Sequence, residues 1–220
     1  MRQHIKAILL SEDFAQQYVK GVKELFGEDY FAHDRNLAKS VFEYYTTLLS
    51  VVNAFDDKTK LHLNLSEEIA EFLGTSAALP AIDLIGLSLG AMMHDIGKIG
   101  IDHELITRPG PITAEERKFV ETHTIMGSNI LSHITTPWAI GRYALMHHER
   151  LDGSGYPNGL TADQIPLEIR ILSVADVSEA LMANRPYRSP WTHTQVLDYL
   201  NEHPEWFDTD IVKYFEKYKV

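Results

Sequence analysis

The chain has 220 residues, of which 45% are hydrophobic and 23% charged, with no cysteine and a formal net charge of -11. Without cysteine, disulfides and thiolate metal sites are excluded, so any metal must take nitrogen and oxygen ligands. The negative charge argues against long nucleic acid, which needs a basic face, but leaves room for a small anionic ligand where cations or a few arginines reverse the potential locally.

No apolar run reaches the roughly 18 to 20 residues of a membrane span, and the opening "MRQHIKAILLSEDF" lacks the length and cleavage site of a signal peptide. A cytoplasmic location is therefore expected. Apolar residues recur at helical spacing throughout, without runs of short alternating segments separated by hairpin turns, which predicts an all-α fold. The first fifty residues read as two helices split by "GEDYFAHD" and carry no chemical motif. A boundary near residues 52 and 53 separates this N-terminal helical extension, residues 1–52, from a domain over residues 53–220.

Helical periodicity then predicts a helix from Lys58 to Leu73, stopped by Gly74. The next, from about Pro80, reads "PAIDLIGLSLGAMMHD", is apolar nearly all round as in a buried central helix, and delivers His94 and Asp95 at its end. After a loop "IGKIGIDHELITRPGP", Thr113 with Glu116 forms a capping box for a helix through Leu131, and Thr136-Pro137 starts another that runs into His147 and His148. A glycine-rich stretch follows, then a helix from Leu167 through Met182, a loop "NRPYRSP", and two short terminal helices.

His62, the pair His94 and Asp95, His123, the pair His147 and His148, and Asp176 sit on or at the ends of different predicted helices, mostly flanked by apolar residues. A buried imidazole or carboxylate without a partner is costly, so several converging on one place suggest a shared metal. Imidazoles and carboxylates suit iron, manganese, nickel or zinc. A carboxylate can bridge two cations, and two metals about 3.5 to 4 Å apart can generate a hydroxide and clamp the attacking and leaving oxygens of a phosphate ester.

The segments "HDIGKIGI", "HHERLDGSGYP" and "ILSVADV", in this order and spacing, resemble the HD-GYP family, a branch of the HD-domain metal-dependent phosphohydrolases. The likeness runs from about Asp56 to "FDTDIVKYF" near the C-terminus. It implies a helical HD-domain bundle and a site with two divalent metal ions, iron first among them. On this resemblance His62, His94, Asp95, His123, His147, His148 and Asp176 are the metal ligands, Asp95 bridging. Lys98 matches the family lysine that contacts the scissile phosphate, where an ammonium would offset charge building on phosphoryl oxygens. Arg185 and Arg188 resemble the family's phosphate-contacting positions, a task for which the guanidinium fork is suited. The remaining histidines, His4, His33, His103, His133, His193 and His203, read as surface or packing residues.

The implied activity is hydrolysis of the cyclic dinucleotide cyclic di-GMP to linear pGpG, to GMP, or to both, by in-line attack of a metal-bridging hydroxide. A non-catalytic cyclic-dinucleotide sensor, and an enzyme for another cyclic dinucleotide, are the alternatives. Lys58 stands where three-metal family members carry a glutamate, which favours two metals because a protonated lysine cannot ligate and repels a nearby cation. "NEHPEWFDTD" also departs from the glycine-containing stretch usual before the family's "FDP". The N-terminal pair of helices suggests a homodimer contact or a signalling-protein partner, or a hairpin packed on its own domain.

Within "HHERLDGSGYP", Glu149 and Asp152 are expected to hold the loop by hydrogen bonds rather than to ligate. Gly153 and Gly155 are expected to adopt backbone conformations barred to other residues, and Pro157 to stiffen the exit. Gly155 and Tyr156 are the loop's candidate substrate contacts. Tyr156 stays open between lining the pocket and presenting a surface to partner proteins.

Overall fold

The structure, a computed structural model, describes residues 57–108, 110–133, 138–184 and 189–219. The described residues are helical, with no strand among them and one isolated bridge between Asp152 and Thr161. The helices are α1 (Asp57–Ser76), α2 (Ala81–Met93), α3 (His103–Thr107), α4 (Ala114–Glu121), α5 (His123–Ser132), α6 (Gly141–Met146), α7 (Leu167–Met182), α8 (His193–Glu202) and α9 (Thr209–Phe215). A 3-10 turn, Ile96–Gly100, follows α2. None of these helices is long and apolar enough to cross a membrane. The expected helices of the first fifty residues and the boundary at 52 and 53 fall outside the described residues.

The core forms where α1, α2 and α7 pack on one another, with α8 and α9 closing one end. On α1 the stripe His62, Ser66, Ile69, Ala70 and Leu73 repeats at helical spacing and turns inward, and on α7 the stripe Ile169, Leu172, Asp176 and Glu179 does the same. Each stripe is apolar at one end and carries its polar side chains at the other. The fold thereby places His62 on one side of a pocket, with Asp176 and Glu179 on the other. Leu87 and Ala91 of α2 fill the space between, and Tyr143 of α6, Val196 of α8 and Phe215 of α9 complete the cluster.

Several elements differ from the expectation. Helix α1 runs through Gly74 to Ser76 instead of stopping. A Cβ on Gly74 would lie 2.7 Å from Leu84 and 2.8 Å from Leu87, so this glycine gives α2 room to approach and does not end the helix. The chain turns at Ala78, with φ 55. The capping box of Thr113 and Glu116 is present, but the long helix behind it divides at Thr122, whose hydroxyl donates to the Phe119 carbonyl.

The segment expected to be a loop after Asp95 contains both the 3-10 turn and α3, the latter capped by Asp102 accepting from the Glu104 backbone N–H. Residues 134–137, where the sixth helix was expected to begin, are outside the described residues, and α6 covers the stretch before His147. Helix α7 has the expected bounds.

Candidate metal centre

Five segments meet in one pocket. α1 supplies His62 from its first turns. His94 is the C-cap of α2 and Asp95 follows it. His123 opens α5, His147 and His148 close α6, and Asp176 with Glu179 comes from α7. His94, Asp95, His123, His147, Asp176 and Glu179 are all buried.

Asp95 stands at the centre. Its Oδ2 faces His62 Nε2 at 3.5 Å and His94 Nε2 at 3.5 Å, while its Oδ1 faces His123 Nε2 at 3.4 Å and His147 Nε2 at 3.8 Å. Asp176 Oδ1 lies 3.3 Å from His62 Nε2 and 3.7 Å from His94 Nε2. Three groups could therefore each hold a cation, their donor atoms lying within 4.8 Å of one another: His62, His94 and Asp176; His94, Asp95 and His147; and His123, His147 and His148.

The orientation of the imidazoles tests whether this donor set fits a metal. The Nδ1 of His94 meets the Ala91 carbonyl at 2.7 Å, that of His123 the Val120 carbonyl at 2.7 Å, and that of His147 the Ala144 and Tyr143 carbonyls at 3.0 and 3.1 Å. A carbonyl only accepts, so each Nδ1 carries the proton and each neutral ring turns an Nε2 lone pair inward.

The inward atoms then lack protein partners of the right kind. His94 Nε2 and Asp95 Oδ1 are buried without a hydrogen-bond partner, and the Nε2 atoms of His123 and His147 face each other at 3.4 Å with no proton to share between neutral rings. Converging acceptors of this kind are costly to bury alone and fit a cation that accepts nitrogen and oxygen donors.

The protonation states agree. Burial holds His147 well below the usual histidine range, lowers His123, and pushes His148 down to about 4. Burial also works against the charge on Asp95 and Asp176. Even so, the Lys98 ammonium and a hydrogen bond from His62 hold Asp95 well below the usual carboxylate range, and a hydrogen bond from His62 does the same for Asp176. His62 moves the other way. Burial opposes its positive charge, but its hydrogen bonds to Asp176, Asp95 and Glu179 outweigh burial and raise its pKa well above the ordinary value.

Around this centre, Lys98 on the 3-10 turn forms an ion pair with Asp95. Gly97 lets that turn lie against the start of α5: a Cβ there would be 1.9 Å from the His123 carbonyl oxygen and 2.5 Å from the Gly127 nitrogen. Asp95 and His123 are held in register by this backbone contact. Tyr156 packs its ring on His148, centroids 4.8 Å apart, and its N–H donates to the His148 carbonyl.

Glu149 is buried and accepts from the N–H groups of Asn158 and Leu160, at 2.7 and 2.9 Å, while Asp152 accepts from the N–H of Ser154. Both therefore clamp the loop. Gly153 has φ +79, as expected of a left-handed position. Gly155 does not, and its requirement is space, since a Cβ would lie 2.4 Å from the Arg150 nitrogen.

Arg185 and Arg188 lie outside the described residues, as do His4 and His33. His103 and His133 are exposed, His193 stacks on Phe215 and His203 on Trp206. Lys58 falls on α1 one turn before His62. Sequence reasoning missed Glu179, whose Oε2 is bound to His62 Nδ1. Its only signal is the three-residue spacing from Asp176, which puts both on one face of α7.

A family model described as an HD domain matches residues 45–211. The chain is 36% identical, over 72% of its length, to the cyclic di-GMP phosphodiesterase response regulator RpfG of Xanthomonas campestris pv. campestris, and 35% identical, over 80%, to a cyclic di-GMP phosphodiesterase of Thermotoga maritima. It is also 34% identical, over 69%, to the 3'3'-cGAMP-specific phosphodiesterase 3 of Vibrio cholerae. The chain spans 42%, 50% and 35% of those proteins respectively.

In fold it is similar to an HDG"Y"P protein from Bdellovibrio bacteriovorus, at a TM-score of 0.61 and 16% identity over 96% of this chain and 75% of that one. Helical architecture and a buried histidine and aspartate pocket define the class, an HD-type domain. Within that class the chain belongs to the HD-domain family in its HD-GYP branch.

Proposed function

We propose that this chain is a metal-dependent phosphodiesterase that hydrolyses cyclic di-GMP to pGpG, GMP or both. The observation that carries the reading is the set of Nε2 lone pairs aimed at Asp95, each ring fixed from behind by a main-chain carbonyl and left without a proton donor in front. The relatives with cyclic di-GMP in their names supply the substrate class.

His62, His94 and Asp176 would hold one divalent cation and His123, His147 and His148 a second, with Asp95 between them and iron the first candidate. When bound, such a pair withdraws charge from phosphoryl oxygens and acidifies a water. The chain's own residues do the rest. The carbonyls behind His94, His123 and His147 keep their tautomers fixed, so no reorganisation is needed on ligation. Lys98, paired with Asp95 at the pocket edge, would place its ammonium against a phosphoryl oxygen and stabilise the charge that grows there in the transition state. The Glu149 clamp holds the loop that carries Gly155 and Tyr156, so the Tyr156 ring stays over His148 where a nucleotide would enter. Arg185 and Arg188 are proposed as further phosphate contacts, and residues 1–52 as a helical extension that joins two copies or a signalling partner.

The test is anaerobic purification, measurement of bound metal, and chromatography of products from cyclic di-GMP. Linear pGpG or GMP appearing with reduced iron supports the reading. Tight binding of cyclic di-GMP without turnover under any reduced metal would make the chain a sensor. A second substrate deserves the same assay, because the chain is nearly as similar to a 3'3'-cGAMP-specific enzyme as to those named for cyclic di-GMP. Faster turnover of 3'3'-cGAMP would replace the substrate and keep the chemistry.

A further inference from the structure

Three of the pocket's imidazoles are fixed from behind by neutral main-chain carbonyls, but His62 is not. Its Nδ1 is bound by the carboxylate of Glu179, with the buried Ser66 hydroxyl 3.5 Å away. Glu179 is 3% exposed and comes from a different helix, α7, one turn beyond Asp176. A carboxylate acceptor differs from a carbonyl in kind. It fixes the tautomer as a carbonyl does, shares the Nδ1 proton more strongly, and so raises the donor strength of Nε2; it also adds a full negative charge behind the ring.

Charge is thereby unequal across the pocket. The position framed by His62, His94 and Asp176 has three buried carboxylates around it, Asp95, Asp176 and Glu179. At the position framed by His123, His147 and His148, Asp95 is, among the described residues, the carboxylate within 4 Å of His123 Nε2 and His147 Nε2.

We propose that Glu179 is a positioning residue, holding His62 so that its Nε2 faces the cation position shared with His94 and Asp176 and making that position the tighter of the two. The inference rests on the reading of the cluster as a metal centre, and it concerns the difference between the two positions.

The experiment is Mn(II) binding to the metal-free full chain by equilibrium dialysis at pH 8, with Glu179→Gln, His62→Ala and the double variant beside the unsubstituted protein. Two unequal sites are expected in the unsubstituted chain. Glu179→Gln should weaken the tighter one about 10- to 100-fold and leave the other unchanged, because glutamine keeps an acceptor but loses the charge. The double variant should bind no worse than His62→Ala, since Glu179 acts through that ring.

Glu179→Met, close in volume and apolar, serves the same purpose if the amide disturbs folding, and should weaken the same site at least as much. Binding by Glu179→Gln equal to that of the unsubstituted chain, equal loss at both sites, or a further loss on top of His62→Ala would overturn the proposal. No Mn(II) binding by the unsubstituted chain would instead sink the metal centre itself, a failure visible before any variant is made.

Discussion

The two halves of the pocket solve the same problem with different chemistry. On the side of α1 and α7, His62 lies among Asp95, Asp176 and Glu179, and its ring carries positive charge well above the usual histidine range because those carboxylates surround it. On the side of α5 and α6, His123, His147 and His148 crowd together, burial lowers all three, and the Nε2 lone pairs of His123 and His147 face inward as neutral acceptors.

The first half can balance its buried charge with a proton; the second has acceptors that only an external cation or water would satisfy. Buried groups of one kind are tolerated when something of opposite character completes them. Here Asp95, with one oxygen toward each half, is the element common to both.

The largest effect is therefore expected at Asp95. Asp95→Ala should abolish metal retention in both halves and lower phosphodiester hydrolysis by at least about 1,000-fold, a loss read by metal analysis and product chromatography. Retained metal and activity would remove Asp95 from the centre. Next come the single-half variants. His62→Ala and His148→Ala should each cost about one equivalent of bound metal per chain while the other equivalent stays. Identical loss of all metal from both would show one cooperative site instead of two halves.

The seam between the halves comes third. Gly97→Ala forces a Cβ into the His123 carbonyl and the Gly127 nitrogen, both backbone atoms that cannot swing aside. It should destabilise the domain by about 2 to 3 kcal/mol in denaturant unfolding. An unchanged midpoint would mean that the turn and α5 are less tightly apposed than the geometry shows.

The smallest effect tests whether cationic partners are what keep the pocket carboxylates ionised. Glu67 shares α1 with His62, but burial and the like charges of Glu71 and Glu68 outweigh its Ser88 hydrogen bond and push its carboxyl up to about 7, from an ordinary 4.5. The folded chain thus keeps a proton that the unfolded chain has released. Stability from this group is full below about 4.5 and is lost as pH rises to about 7. Glu67→Gln should flatten that part of the stability profile and raise stability at pH 8 by about 2 kcal/mol, measured by thermal or urea unfolding across the window. A profile unchanged by the substitution would show that Glu67 ionises freely.

Much of this was readable in the residues because the signals are local. The capping box at Thr113 and Glu116, the bounds of α7, and the histidine and aspartate motifs all depend on spacings of a few positions, and the structure brings His62, His94, Asp95, His123, His147, His148 and Asp176 into one pocket.

Other features were not readable, for identifiable reasons. Gly74 looks like a helix stop because glycine is a poor helix former, yet the approach of Leu84 and Leu87 decides its role. Gly155 looks like a left-handed position, and its neighbour Arg150 shows that it answers a need for space. Glu179 looks like one more acidic residue on a helix, and nothing near it in sequence points to His62, 117 positions away.

The sequence by itself determined that the fold is helical, which residue types face inward, and which side chains could ligate, because helix periodicity and donor chemistry are properties of short segments. Only the tertiary structure decided which ring is backed by a carbonyl and which by a carboxylate, where a backbone passes too close for a Cβ, and how charge divides between the two halves of the pocket. Those depend on distances between helices far apart in the chain, and such distances are set by packing the whole core at once.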